Sequence, residues 1–130
     1  MLKRKMKLLV VDDEKDICHF VKLLFKKEGF LVYSALSGTQ ALNAARKIKP
    51  DITLLDIYLK KGITGLEVLE QIRKSVPNCR NIMVTWDKAE EKMQEAKKLG
   101  AVSYLTKPLT VTQLLKVVTR IAKQAEREGR

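Results

Sequence analysis

The sequence has little of what many sites and covalent staples are made from: two cysteines and one histidine in 130 residues. Cys18 and Cys79 lie far apart and form no CxxC pair, and His19 is the sole imidazole, so thiolate and imidazole metal centres and disulfide scaffolds are excluded. Both thiols are expected to be small core residues in a reducing cytoplasm. Long apolar runs are also missing. None approaches the ~20 residues of a membrane span, and the basic start Met1 to Lys7 leads into only a short apolar stretch before Asp12. Neither a signal peptide nor a membrane partner is expected. With no repeat, low-complexity tract or linker, one domain is expected to fill residues 1–130, with its core at about 6–125.

Acidic residues are outnumbered, 15 Asp+Glu against 26 Lys+Arg, for a net charge of +11. Such a surplus suits phosphate backbones. Here the lysines are scattered along every segment and no nucleic-acid motif accompanies them, so a solvated basic surface is expected. Contact with nucleic acid is expected only through an output domain outside this sequence, if at all.

What is present is a fivefold alternation of short apolar stretches and amphipathic ones, the pattern of a parallel sheet covered by helices on both faces. Strands are predicted at Lys7 to Val11, Phe30 to Ser34, Ile52 to Leu55, Asn81 to Thr85 and Val102 to Thr106. The first and third are nearly all apolar, as strands buried on both faces are. Ile17, Phe20, Val21, Leu24 and Phe25 have helical spacing, predicting a helix from about Glu14 to Glu28 that ends at Gly29. Leu66, Leu69, Ile72 and Val76 make a second stripe stopped by Pro77, and Leu114 to Ala125 a third. Weaker helices are predicted at Ala41 to Ile48 and Lys88 to Leu99. The fold class is α/β: a three-layer, doubly wound (βα)5 domain.

Ligands of open parallel sheets bind beyond the carboxyl ends of the strands. At those ends stand Asp12-Asp13, Asp56, Thr85 and Lys107. Each has an ordinary use: Asp13 as a helix cap, Asp56 as a turn residue, Thr85 as a cap, Lys107 as an exposed lysine before a proline. Four correctly ordered strand ends carrying them together point to chemistry instead. Gathered carboxylates repel one another, and a hard divalent ion such as Mg2+ would compensate. Lys107 adds a point charge and Thr85 a hydroxyl donor, a set suited to holding a phosphoryl group.

The blocks KLLVVDDE, ITLLDIYL, NIMVT and GAVSYLTKPL resemble the successive motifs of the response-regulator receiver family over about residues 6 to 125. The flavodoxin-like strand order 2-1-3-4-5 comes with that resemblance rather than from the pattern. The resemblance implies that Asp56 is the phospho-acceptor. It implies Mg2+ held directly by Asp13, Asp56 and the backbone carbonyl of Tyr58, with Asp12 assisting through water. Lys107 would pair with one phosphoryl oxygen and Thr85 swing to bond another. Tyr104 stands at the position of the family's switch aromatic, and a cis Lys107-Pro108 bond is implied. The donor would be a sensor histidine kinase or a phosphotransfer protein. The downstream partner would read the fourth helix, fifth strand and fifth helix. Whether the receiver acts alone or belongs to a longer regulator or hybrid kinase stays open.

Departures concentrate around the pocket. Lys60 stands where the family has proline, and Gly65 follows the acceptor by nine residues rather than eight, so the loop at Lys60-Lys61-Gly62 has one extra residue. Trp86 replaces a small residue, either shielding the site or folding back on the surface. Tyr58 and Asp87 hold the two positions that tune dephosphorylation. Two other functions compete: a receiver-like interaction module independent of phosphorylation, and a metal-dependent aspartyl-phosphate phosphohydrolase. The second would want an acid/base aspartate where Tyr58 stands.

Overall fold

In the computed structural model, which describes residues 4–86 and 90–129, the apolar stretches form β1 (Lys7–Val11), β2 (Leu31–Ala35), β3 (Ile52–Asp56), β4 (Arg80–Thr85) and β5 (Ser103–Thr106). They alternate with α1 (Lys15–Lys27), α2 (Gly38–Ile48), α3 (Gly65–Ser75), α4 (Glu90–Lys98) and α5 (Val111–Arg127). All strand pairs are parallel, in the order β2-β1-β3-β4-β5. Strand order therefore reverses between β1 and β3, and the carboxyl ends of these two strands flank the switch point.

The two-residue period of the strands divides the core. Leu8 and Val10 face Cys18, Val21 and Phe25 of α1 and Leu114, Val118 and Ile121 of α5. Leu9 and Val11 face the other way, with Leu55 and Met83, toward Ala41 and Ala45 of α2 and Leu69 and Ile72 of α3. A fully buried aliphatic side chain of this kind contributes about 1.5–3 kcal/mol. Polar groups inside the sheet are paired: Thr53 Oγ1 donates to Asn81 Oδ1 at 2.6 Å between β3 and β4.

Helix ends follow their caps more closely than their apolar stripes. Glu14 and Glu28 flank α1, and Gly29, at φ 91°, turns the chain as expected. By contrast α2 begins at Gly38, ahead of the predicted Ala41, because Ser37 Oγ accepts the Gln40 N–H. Thr64 and Glu67 form a capping box that starts α3. Three strand starts move by one residue, β4 opening at Arg80 rather than Asn81. Phe30 precedes β2 and packs edge-on against Phe25, with ring centroids 5.4 Å apart. Val102 is exposed ahead of β5, whose pairing begins with Ser103 opposite Ile82. α4 is described from Glu90, and the predicted start at Lys88 lies outside the described residues. Among the described residues no helix is long and apolar enough to cross a membrane.

Candidate acidic pocket at the sheet edge

Asp12 follows β1 directly, Asp13 comes next, and Asp56 ends β3. One carboxylate oxygen from each falls within 4.8 Å of the others. Asp12 and Asp56 are buried and Asp13 half-buried. Turn bonds hold the buried pair: Asp12 Oδ1 accepts the Glu14 N–H and Asp56 Oδ1 the Tyr58 N–H, each at 2.9 Å. For Asp56 the turn role and the pocket role therefore coexist on different oxygens. Asp13 is not the cap of α1, since Glu14 holds that position with no side-chain cap bond. Instead Asp13 Oδ2 accepts the main-chain N–H of Lys60 at 2.9 Å.

Lys107 closes the pocket. Only 5% exposed, it places Nζ 2.8 Å from Asp12 Oδ2 and 3.1 Å from Asp56 Oδ2. The ordinary use as a surface lysine is thereby excluded. Its own N–H donates to the Thr85 carbonyl at 2.8 Å, and the Lys107-Pro108 bond is cis, as the resemblance implied. Burial pulls the Lys107 ammonium toward neutrality, but the hydrogen bond to Asp12 and the charge and hydrogen bond of Asp56 outweigh it, so its pKa rises. Burial lifts the Asp56 carboxyl above the usual range, against the opposing pull of the Tyr58 N–H and Lys107.

Sequence reasoning missed Glu14 as a member of this site. Its Oε2 lies 3.3 Å from Lys107 Nζ, with the side chain about half exposed at the mouth. The signal was its place immediately after Asp12-Asp13, where it reads as an ordinary acidic helix-start residue. Three carboxylates thus contact one ammonium, and a fourth, Asp13, clusters with two of them. That surplus of negative charge and an all-oxygen donor set fit a hard divalent cation such as Mg2+.

Thr85 ends β4, buried, one position beyond Val84, the register partner of Asp56. Tyr104 pairs with Met83 in the sheet and donates its hydroxyl to the Met93 carbonyl of α4. Trp86 is 62% exposed, yet its ring centroid is 5.9 Å from Lys107 Nζ. With Glu14, Phe20 and Pro108 it lines an open cavity of about 360 Å³. The indole thus lies largely in solvent at the lysine end of the pocket. Tyr58 is 45% exposed beside Asp56, and Asp87 lies outside the described residues.

A lysine-closed carboxylate pocket at the switch point of a 2-1-3-4-5 sheet defines a flavodoxin-like α/β protein equipped for a cation and an anionic group. Comparison with known proteins narrows the class. The model of the response regulator receiver domain matches residues 8–119. The chain is 33% identical over 114 residues to sporulation initiation phosphotransferase F of Bacillus subtilis (strain 168), spanning 88% of this chain and 91% of that protein. Among solved structures, the CheY-like receiver domain protein of Methanospirillum hungatei JF-1 superposes with a TM-score of 0.91 at 28% identity, covering 96% of this chain and 99% of that one. Chemotaxis protein CheY4 of Vibrio cholerae gives 0.84 at 31% identity, covering 91% and 99%. The chain belongs to the response regulator receiver domain family. Membership places it among the phospho-accepting modules of two-component signalling.

Proposed function

We propose that Asp56 accepts the phosphoryl group and that the other pocket residues bind and neutralise it. The observation that carries this is the buried ammonium of Lys107 bridging Asp12 and Asp56 in a pocket that holds a third carboxylate, Asp13. Bound by Asp13, Asp56 and the Tyr58 carbonyl, with Asp12 assisting through water, Mg2+ would supply positive charge against the phosphoryl oxygens. An Asp56 oxygen attacks phosphorus while the bond to the donor's imidazole nitrogen breaks, and that imidazole keeps the bonding pair. Lys107, already 3.1 Å from Asp56 Oδ2, neutralises a phosphoryl oxygen without moving far. Thr85, at the end of the adjacent strand, supplies a hydroxyl to another.

The added group brings about −1.5 to −2 charges and three acceptor oxygens. Drawing Thr85 toward them alters the packing behind it, where Tyr104 ties β5 to α4 through the Met93 carbonyl. The α4-β5-α5 face then reports the change to a downstream protein. A sensor histidine kinase or phosphotransfer protein in the cytoplasm is the donor, and residues 1–130 form one receiver domain. Trp86, Tyr58 and Asp87 tune access of water to the acyl phosphate.

Mg2+ with beryllofluoride, a phosphoryl mimic, tests the site and the switch together by NMR. The amides of Asp56, Thr85, Tyr104 and α4 are expected to shift in the wild type and to stay in place in Asp56→Asn. Unchanged α4 and Tyr104 shifts in a wild type that binds the mimic would overturn the switch.

A further inference from the structure

The loop between β3 and α3 donates main-chain hydrogen bonds to the pocket from two alternate residues. Tyr58 N–H goes to Asp56 Oδ1 and Lys60 N–H to Asp13 Oδ2, both at 2.9 Å. Asp13 lies 47 residues before Lys60, so the second bond ties the loop to the end of β1 rather than to its own turn. The loop is anchored on both sides of that amide. Leu59 and Ile63 pack on the α2–α3 side of the core. Gly62, at φ 75°, makes the turn between them, and Thr64 is fixed by its capping box. The Lys60 side chain plays no part in this bond; its amide is presented by the fold of the loop.

We infer that the Lys60 main-chain amide positions Asp13 for cation binding, so that the loop at residues 58–64 and the cation site form one coupled unit. This rests on the reading of Asp13 as an Mg2+ ligand. A half-buried carboxylate among like charges gains most by turning away into water. A charge-assisted bond to Asp13 Oδ2 restrains that rotation and keeps the carboxylate where one of its oxygens lies within 4.8 Å of those of Asp12 and Asp56. Groups that orient metal ligands in this way are worth about 10- to 100-fold in metal affinity. Lys60 is thus a positioning residue, and cation binding in turn stiffens the loop beside the acceptor.

The test is a titration of the full chain with Mg2+ alone, read by Trp86 fluorescence and by the Lys60 amide in NMR spectra. Lys60→Pro removes the donor, whereas Lys60→Ala keeps it and removes the ammonium. Lys60→Ala is expected to bind Mg2+ as the wild type does, and Lys60→Pro to bind about tenfold more weakly. In the wild type the Lys60 amide proton is expected to resonate downfield, resist exchange, and lose both properties in Asp13→Ala. That signature needs no folded proline variant. Equal affinity in the two Lys60 variants, tighter binding by Lys60→Pro, or a Lys60 amide indifferent to Asp13→Ala each overturns the inference. If Asp13→Ala binds Mg2+ as the wild type does, the cation-site reading itself falls, and the inference with it.

Discussion

Gly65 lies directly against the main chain of Asp56: a β-carbon at 65 would overlap the Asp56 carbonyl oxygen and come within 2.7 Å of the Ile57 Cα. The Gly65 N–H donates to the Ile57 carbonyl at 3.0 Å, so the first turn of α3 is clamped to the end of the strand that carries the acceptor. Gly65→Ala is expected to cost about 1–3 kcal/mol by overpacking and to slow phosphorylation of Asp56 by shifting its main chain. Gly62→Ala, in an exposed turn with open space around it, is expected to cost about 1 kcal/mol and to slow phosphorylation less than Gly65→Ala does. Urea denaturation and acetyl phosphate labelling of both variants check the contrast.

Glu14 adds a half-exposed negative charge at the mouth of a pocket that must admit an anion. Glu14→Gln is expected to speed labelling by acetyl phosphate by about 1.4- to fivefold, the kinetic equivalent of the ~0.2–1 kcal/mol typical of exposed ion pairs. Raising the salt concentration should shrink the difference. A slower variant would mean that Glu14 holds Lys107 in place rather than repelling the donor.

Trp86 lies near Lys107, and Tyr58 follows Asp56 by two residues and bonds it through its main chain. Trp86→Ala and Tyr58→Asn are each expected to shorten the acyl-phosphate half-life. For Trp86 the effect is about two- to fivefold, matching a cation–π contact of ~0.5–1 kcal/mol. Decay of the intact phosphorylated mass measures it, and an unchanged half-life in both variants removes the shielding role.

Much of this architecture was legible because burial on both faces leaves a plain mark. β1 and β3 are nearly all apolar, and the stripe of α1 predicted a helix from about Glu14 to Glu28, one residue beyond each observed end. Site residues at strand ends were legible because their side chains contrast with the strands before them. What escaped was carried by other means. Phe30 and Val102 are apolar without pairing as strand, and hydrophobicity does not distinguish the two. The bond from Lys60 to Asp13 uses a main-chain donor, which no side-chain pattern reveals; only the extra residue in the loop hinted at it. Glu14 escaped because an acidic residue at a helix start has an ordinary explanation.

Cys18 gives a pH dependence with a defined sign. Burial pushes its thiol up to about 11, with Asp12 adding to the shift. The folded state keeps the proton longer than the unfolded chain, so this stability is fully present below the unfolded pKa, near 9, and is lost as pH rises toward 11. Lys107, also raised, adds to the loss higher on the same alkaline limb. Urea unfolding at pH 8 and pH 10.5 should show the decline, and Cys18→Ala should show a smaller one. Cys18 should also resist alkylation at pH 8 until the protein unfolds.

The central claim is that Asp56 takes up one phosphoryl group with the help of Mg2+ and Lys107. Intact-mass measurement after incubation with acetyl phosphate and Mg2+ tests it most directly. The wild type is expected to gain the mass of one phosphoryl group, Asp56→Asn to gain none, and Lys107→Ala or Mg2+ removal to slow the gain at least about tenfold, the scale of losing one charge-assisted contact. A wild type that gains no mass, or an equal gain in Asp56→Asn, would contradict the account.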